Sequence, residues 1–159
     1  MKTVDIVKIA IENEVRARIF YGKAADLTSE GESQMVFLEL VEMEDGHARR
    51  VVNDLGEIMR SAGQDPTAFL EQKEAELARD LPVEESELIK NGEMRAVIEF
   101  AIGREALARD SYRELADLVD GEQERRVCEE LAEEEQRHHD MLSKLRQSVD
   151  TPMDERPAL

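Results

Sequence analysis

The stretch IAIENEVRARIFYGKAAD, residues 9–26, returns as FAIGREALARDSYRELAD, residues 100–117. The offset of 91 sets Ala10, Ile11, Glu14, Ala17, Tyr21, Ala25 and Asp26 on Ala101, Ile102, Glu105, Ala108, Tyr112, Ala116 and Asp117. Self-similarity at a fixed offset marks a repeated structural unit. Carried further, the same offset lays Glu44 on Glu135 and His47 on His138. Each half, roughly 4–55 and 95–146, thus contains a glutamate, a tyrosine seven residues on, and a Glu-x-x-His motif that begins thirty residues after the first glutamate. The motifs are Glu44-Asp45-Gly46-His47 and Glu135-Gln136-Arg137-His138.

The apolar residues around these positions keep the period of one helical face. Val7, Ala10, Ala17, Tyr21 and Ala24 form one stripe, and Phe37, Leu40, Val41, Val51 and Leu55 a second. Ile98, Ala101, Ile102, Ala108, Tyr112 and Leu115 form a third, and Cys128, Leu131, Ala132, Leu142 and Leu145 a fourth. Punctuation separates them. Ser29 with Glu32 reads as a capping box, and Gly63 as the glycine after a helix end. Asp65-Pro66 reads as the start of a short extra helix. Pro82 and Asn91-Gly92 break the chain before the third long helix, and Asp120-Gly121 with Gln123 separates the third from the fourth. Within the connector, EQKEAELARD (residues 71–80) has the charge spacing of a solvated helix.

The expectation is an all-α fold: two hairpins of long helices, about 26–30 residues each by their periodic stretches, joined by a crossover long enough to span the bundle. A single domain covers 1–150, and residues 151–159 read as a flexible tail.

Positions i and i+3 share one face of a helix, so the Glu and His of each motif can serve one centre. Glu14 and Glu105 interrupt apolar stripes of their own helices. The predicted core therefore holds four carboxylates and two imidazoles. Unpaired carboxylates are costly to bury, and two divalent cations balance four negative charges. Each ion would take one terminal glutamate (Glu14 or Glu105) and one histidine, with Glu44 and Glu135 bridging. Bundle cores hold metal pairs with this set of donors. Mixed oxygen and imidazole donors suit two iron ions, with manganese or zinc as substitutes.

The duplicated Glu-x6-Tyr and Glu-x-x-His pattern resembles the ferritin-like di-iron carboxylate superfamily, and its spacing is most similar to the rubrerythrin-type proteins, over roughly residues 3–148. The resemblance implies a ferritin-like four-helix bundle with iron ligands Glu14, Glu44, His47, Glu105, Glu135 and His138. It also implies that Tyr21 and Tyr112 donate hydrogen bonds toward the ligand carboxylates. Two departures stand out. Ala108 occupies the position, one turn after Glu105, where rubrerythrins carry a further glutamate that lets one iron change ligands during peroxide reduction. A rubredoxin domain needs several cysteines, and this chain has one, Cys128. A separate electron-donor protein is therefore implied.

The remaining residues carry less. One cysteine excludes a disulfide framework and a cysteine-based zinc site. His139 lies about 100° round the helix from His138 and is expected to be partly exposed. Cys128, seven before Glu135, is expected to be a buried inert thiol. Glu99 falls off the ligand face, and the seven methionines read as packing or loop residues. With 38 acidic against 21 basic residues the formal charge is −17, which disfavours nucleic acid and anionic membranes and attracts cations. The N-terminus MKTVDIVKIAIENE has neither the continuous apolar run of a signal peptide nor that of a membrane span, which leaves the cytoplasm as the expected compartment.

The functional expectation is a di-iron oxidoreductase acting on O2 or H2O2. Alternatives are a ferroxidase or iron-storage protein, a bundle that ions merely stabilise, and an oxygenase with an organic substrate. A homodimer or larger homo-oligomer is the expectation for assembly.

Overall fold

The computed structural model describes residues 1–28 and 31–150. It contains six helices: α1 (Thr3–Leu27), α2 (Glu32–Ser61), α3 (Pro66–Arg79), α4 (Val83–Asn91), α5 (Met94–Leu118) and α6 (Glu122–Asp150). Among the described residues there is no strand. The two dominant packings are α1 on α2 and α5 on α6, which are the two hairpins of the repeat. The hairpins meet along α1–α5 and α2–α6. Among the described residues no helix is long and apolar enough to cross a membrane.

Local chemistry sets the boundaries. α2 ends in a Schellman turn: Gly63 at φ 74° donates to the Arg60 carbonyl at 2.9 Å, and Gln64 donates to the Met59 carbonyl at 3.0 Å. A side chain with a Cβ would be strained at that φ. The Asp65 carboxylate then accepts from the Thr67 and Ala68 amides at 3.0 and 3.2 Å, opening α3 behind Pro66. α2 itself starts at Glu32, after Gly31 at φ 101°. The capping-box serine, Ser29, and the tail 151–159 lie outside the described residues.

The connector departs from expectation, with two extra helices instead of one. Pro82 does not merely break the chain. At φ −50° it is the N-cap of α4, which runs to a left-handed Gly92 at φ 67°. α3 lies against α1 and α2, and α4 bridges α1 and α5. The long helices α1 and α5 have 25 residues each, slightly fewer than the sequence suggested.

Two apolar layers fill the bundle. One is built on Ile11, Leu55, Leu115, Cys128 and Leu131, and the other on Phe20, Phe37, Leu40, Ile98, Leu142 and Leu145. Each buried leucine contributes about 1.5–3 kcal/mol. The gap in sequence between the layers falls at the same height on all four long helices: Glu14, Glu44–His47, Glu105 and Glu135–His138. The polar site is therefore a slab between two dry layers, which fix its side chains and hold water away from both ends.

Candidate metal centre

All six ligand candidates are buried, from 0% exposed for Glu135 to 5% for His47. The i, i+3 spacing does what helix geometry requires, bringing His138 Nδ1 to 3.2 Å from Glu135 and His47 Nδ1 to 3.9 Å from Glu44. Contacts between helices are as close. His47 Nδ1 lies 3.1 Å from Glu135 and 3.6 Å from Glu14, while His138 Nδ1 lies 2.7 Å from Glu44 and 3.7 Å from Glu105. The imidazoles stack with centroids 5.1 Å apart and planes 12° from parallel. One donor atom from each of Glu44, His47, Glu135 and His138 falls within 4.8 Å of the others, a group that could hold a metal ion. Glu14 and Glu105 flank this group on opposite sides, Glu14 toward His47 and Glu105 toward His138.

Several of these atoms lack hydrogen bonds. Glu14 Oε2, Glu44 Oε1, Glu135 Oε2 and His138 Nδ1 are buried and make no aligned hydrogen bond with a protein group. Buried polar atoms are almost always satisfied. Four unsatisfied donor atoms converging on one point, with a −4 carboxylate set, are what a pair of divalent cations would satisfy, so the residues fit such a group.

The outer carboxylate oxygens, by contrast, are taken. Tyr21 donates to Glu105 at 2.5 Å and Tyr112 donates to Glu14 at 2.6 Å. The bonds are crossed: each tyrosine serves the terminal glutamate of the other repeat. They pin one oxygen of each terminal carboxylate and leave the other facing the centre. Burial and the adjacent carboxylates raise both phenols well above their ordinary pKa, so they remain donors.

The electrostatics divide the four acids by position. Burial, together with the charges of the other glutamates, pushes Glu44 and Glu135 well above the usual carboxylate range. Burial pushes Glu14 and Glu105 the same way but loses. His47 holds Glu14 down at about 2, and the neighbouring Glu135 and His138, the latter 3.7 Å away, hold Glu105 below its ordinary value. Four anions cannot share this volume unaided, so burial and mutual repulsion favour the protonated form of the two central carboxyls, and a bound cation would displace those protons.

Two openings reach the slab. A pocket of about 330 Å³ between α1 and α5 is lined by Glu14, Glu44, Glu105 and Ala108. The small side chain at Ala108 therefore leaves space beside the carboxylates. Glu85 of α4 also lines the pocket, buried and ion-paired with Arg104 and, at 4.0 Å, with Arg16. A groove of about 690 Å³ on the opposite side, between α2 and α6, is lined by His47, His138 and Met43.

His139 and Cys128 sit as expected. His139 is 28% exposed and contacts Asp140 at 3.3 Å. The Cys128 thiol is fully buried, and burial pushes it up to about 11. Sequence reasoning missed Glu85 and Glu134. Glu134 contacts His47 Nε2 directly, and neither glutamate has a counterpart in the other repeat that would have singled it out.

The rubrerythrin family profile matches residues 5–146. The chain belongs to the rubrerythrin family. Searches of curated proteins and of solved structures gave no match. Family membership agrees with the all-helical architecture and with the buried Glu/His cluster, and it implies iron as the metal.

Proposed function

We propose that this rubrerythrin-family chain is a di-iron oxidoreductase whose substrate is O2 or H2O2. The observation that carries the reading is the convergence of unsatisfied ligand atoms beside a pocket that Ala108 keeps open. Iron held by Glu14, Glu44, His47, Glu105, Glu135 and His138 would supply the electrons for reducing a small oxidant. The protein's own residues prepare the site for that chemistry. Tyr21 and Tyr112 orient the terminal carboxylates, and Glu44 and Glu135 exchange protons for cations. The two apolar layers exclude bulk water, and the pocket past Ala108 offers a small oxidant a way to the carboxylates. Electrons would arrive from a separate donor protein.

The test is stopped-flow oxidation of the anaerobically iron-loaded protein by O2 and by H2O2 separately. Rapid oxidation by at least one, lost in Glu44→Ala and in His138→Ala, supports the reading, and the faster oxidant names the substrate. If the oxidised iron is instead retained as a mineral of many ions per chain, the ferroxidase alternative holds. Iron that neither oxidant touches leaves an ion that only stabilises the bundle.

A further inference from the structure

The two halves of the site are related by the repeat, yet their histidines are held differently. His47 points Nδ1 at the carboxylates and has Glu134 on Nε2. Glu134 is itself held by Arg50 at 3.7 Å and Arg137 at 3.9 Å. By the repeat offset the residue that should hold His138 is Met43, which lines the same groove as His138. A thioether is at best a weak acceptor, and among the described residues no hydrogen bond to His138 Nε2 is seen.

A carboxylate on the outer nitrogen of a ligand histidine fixes its tautomer and ring orientation and makes the inner nitrogen a better donor. We propose that Glu134 is a positioning residue that makes the half-sites unequal, so that the Glu14–His47 half takes the first divalent cation and the Glu105–His138 half the second. The inference rests on the dimetal reading of the site. It concerns this chain's own Glu134 and Met43, and it follows from the contact to one imidazole and the lack of one to the other. Loss of such a partner weakens metal affinity by about 10–100-fold, and that is the expected separation.

Repulsion between two bound ions would also produce two binding steps, so each half must be compared alone. Co2+, followed by its visible absorption, is titrated into His138→Ala, which keeps the His47 half, and into His47→Ala, which keeps the other. The His138→Ala protein should bind its ion about 10–100-fold more tightly. Adding Glu134→Met should abolish that advantage, Glu134→Gln should restore part of it because an amide oxygen still accepts from Nε2–H, and Met43→Glu in His47→Ala should tighten the weaker half. Glu134 and Met43 are both partly exposed, and the gain expected from Met43→Glu cannot be mistaken for misfolding. Equal affinities in the two single-half proteins, or a difference that survives Glu134→Met, would overturn the inference while leaving the dimetal site intact. If the unsubstituted protein binds no Co2+ at all, the dimetal reading and this inference both fail.

Discussion

Removing metal should invert the usual dependence of stability on pH, and the size of the effect follows from the site. Glu44 and Glu135 have raised pKa values in the fold and ordinary ones in the unfolded chain. A raised carboxyl contributes stability below its unfolded value and loses it as pH climbs toward the folded value. His47 is also raised, because its carboxylate neighbours outweigh burial, and its contribution is lost only above the ordinary histidine range. Glu14 and Glu105 are depressed and contribute fully above the ordinary carboxylate range. Between about pH 5 and 6.5 the two central carboxyls therefore dominate. Each holds protons that the unfolded chain has lost, so stability falls as pH rises, by at most about 1.4 kcal/mol per pH unit for each and about 2.7 for the pair. For a domain of this size that is a fall of about 5–11 °C in Tm per pH unit. Urea denaturation of chelator-treated protein at three pH values in this window measures the slope. The charge of −17 adds general repulsion, and isosteric variants separate the two effects. Glu44→Gln or Glu135→Gln should remove about half of the slope and raise metal-free stability at neutral pH, while weakening metal binding. Saturating metal should flatten or reverse the slope, since cations replace the protons. Stability that stays flat or rises with pH in the metal-free protein, or a slope that both glutamine variants leave unchanged, would refute the electrostatic account.

Further outcomes follow from single contacts. Tyr21→Phe and Tyr112→Phe each strip a donor from a buried ionised carboxylate, and each should lower unfolding free energy by about 1.5–3 kcal/mol in a denaturant titration. Arg104→Met removes the closer partner of buried Glu85, with a cost near the lower end of about 3–5 kcal/mol. Because Glu85 sits on α4, amide exchange in residues 83–91 should speed up before exchange elsewhere. Cys128 should resist an alkylating reagent at pH 8 in the native protein and react once urea unfolds it, since its thiol is fully buried and raised to about 11.

The bundle was legible because one period and one repeat agreed. An apolar face at helical spacing, interrupted at matched positions by glutamate, fits poorly with anything other than a buried polar layer. The six buried candidates were legible as one cluster for the same reason: Glu14, Glu44 and His47 each had a copy in the second half. What the sequence withheld was whatever broke the repeat. Glu134 pairs with Met43, so comparing the halves discards it, and only the packing of α2 against α6 brings it to His47. The crossed tyrosine bonds were hidden because sequence spacing links Tyr21 to Glu14, whereas the bundle places its hydroxyl against Glu105 on the facing helix. α4 was hidden because Pro82 serves equally as a breaker and as the residue before a new helix. Burial of Glu85 depends on Arg16 and Arg104, which come from two other helices.

The most direct measurement is the number of Fe2+ ions bound per chain in an anaerobic equilibrium titration, with Glu44→Ala and Glu135→Ala titrated alongside. Two tightly bound ions, with both positions lost together when either central carboxylate is removed, is the result this account predicts. One ion, no ion, or two ions that survive loss of Glu44 and Glu135 would contradict it.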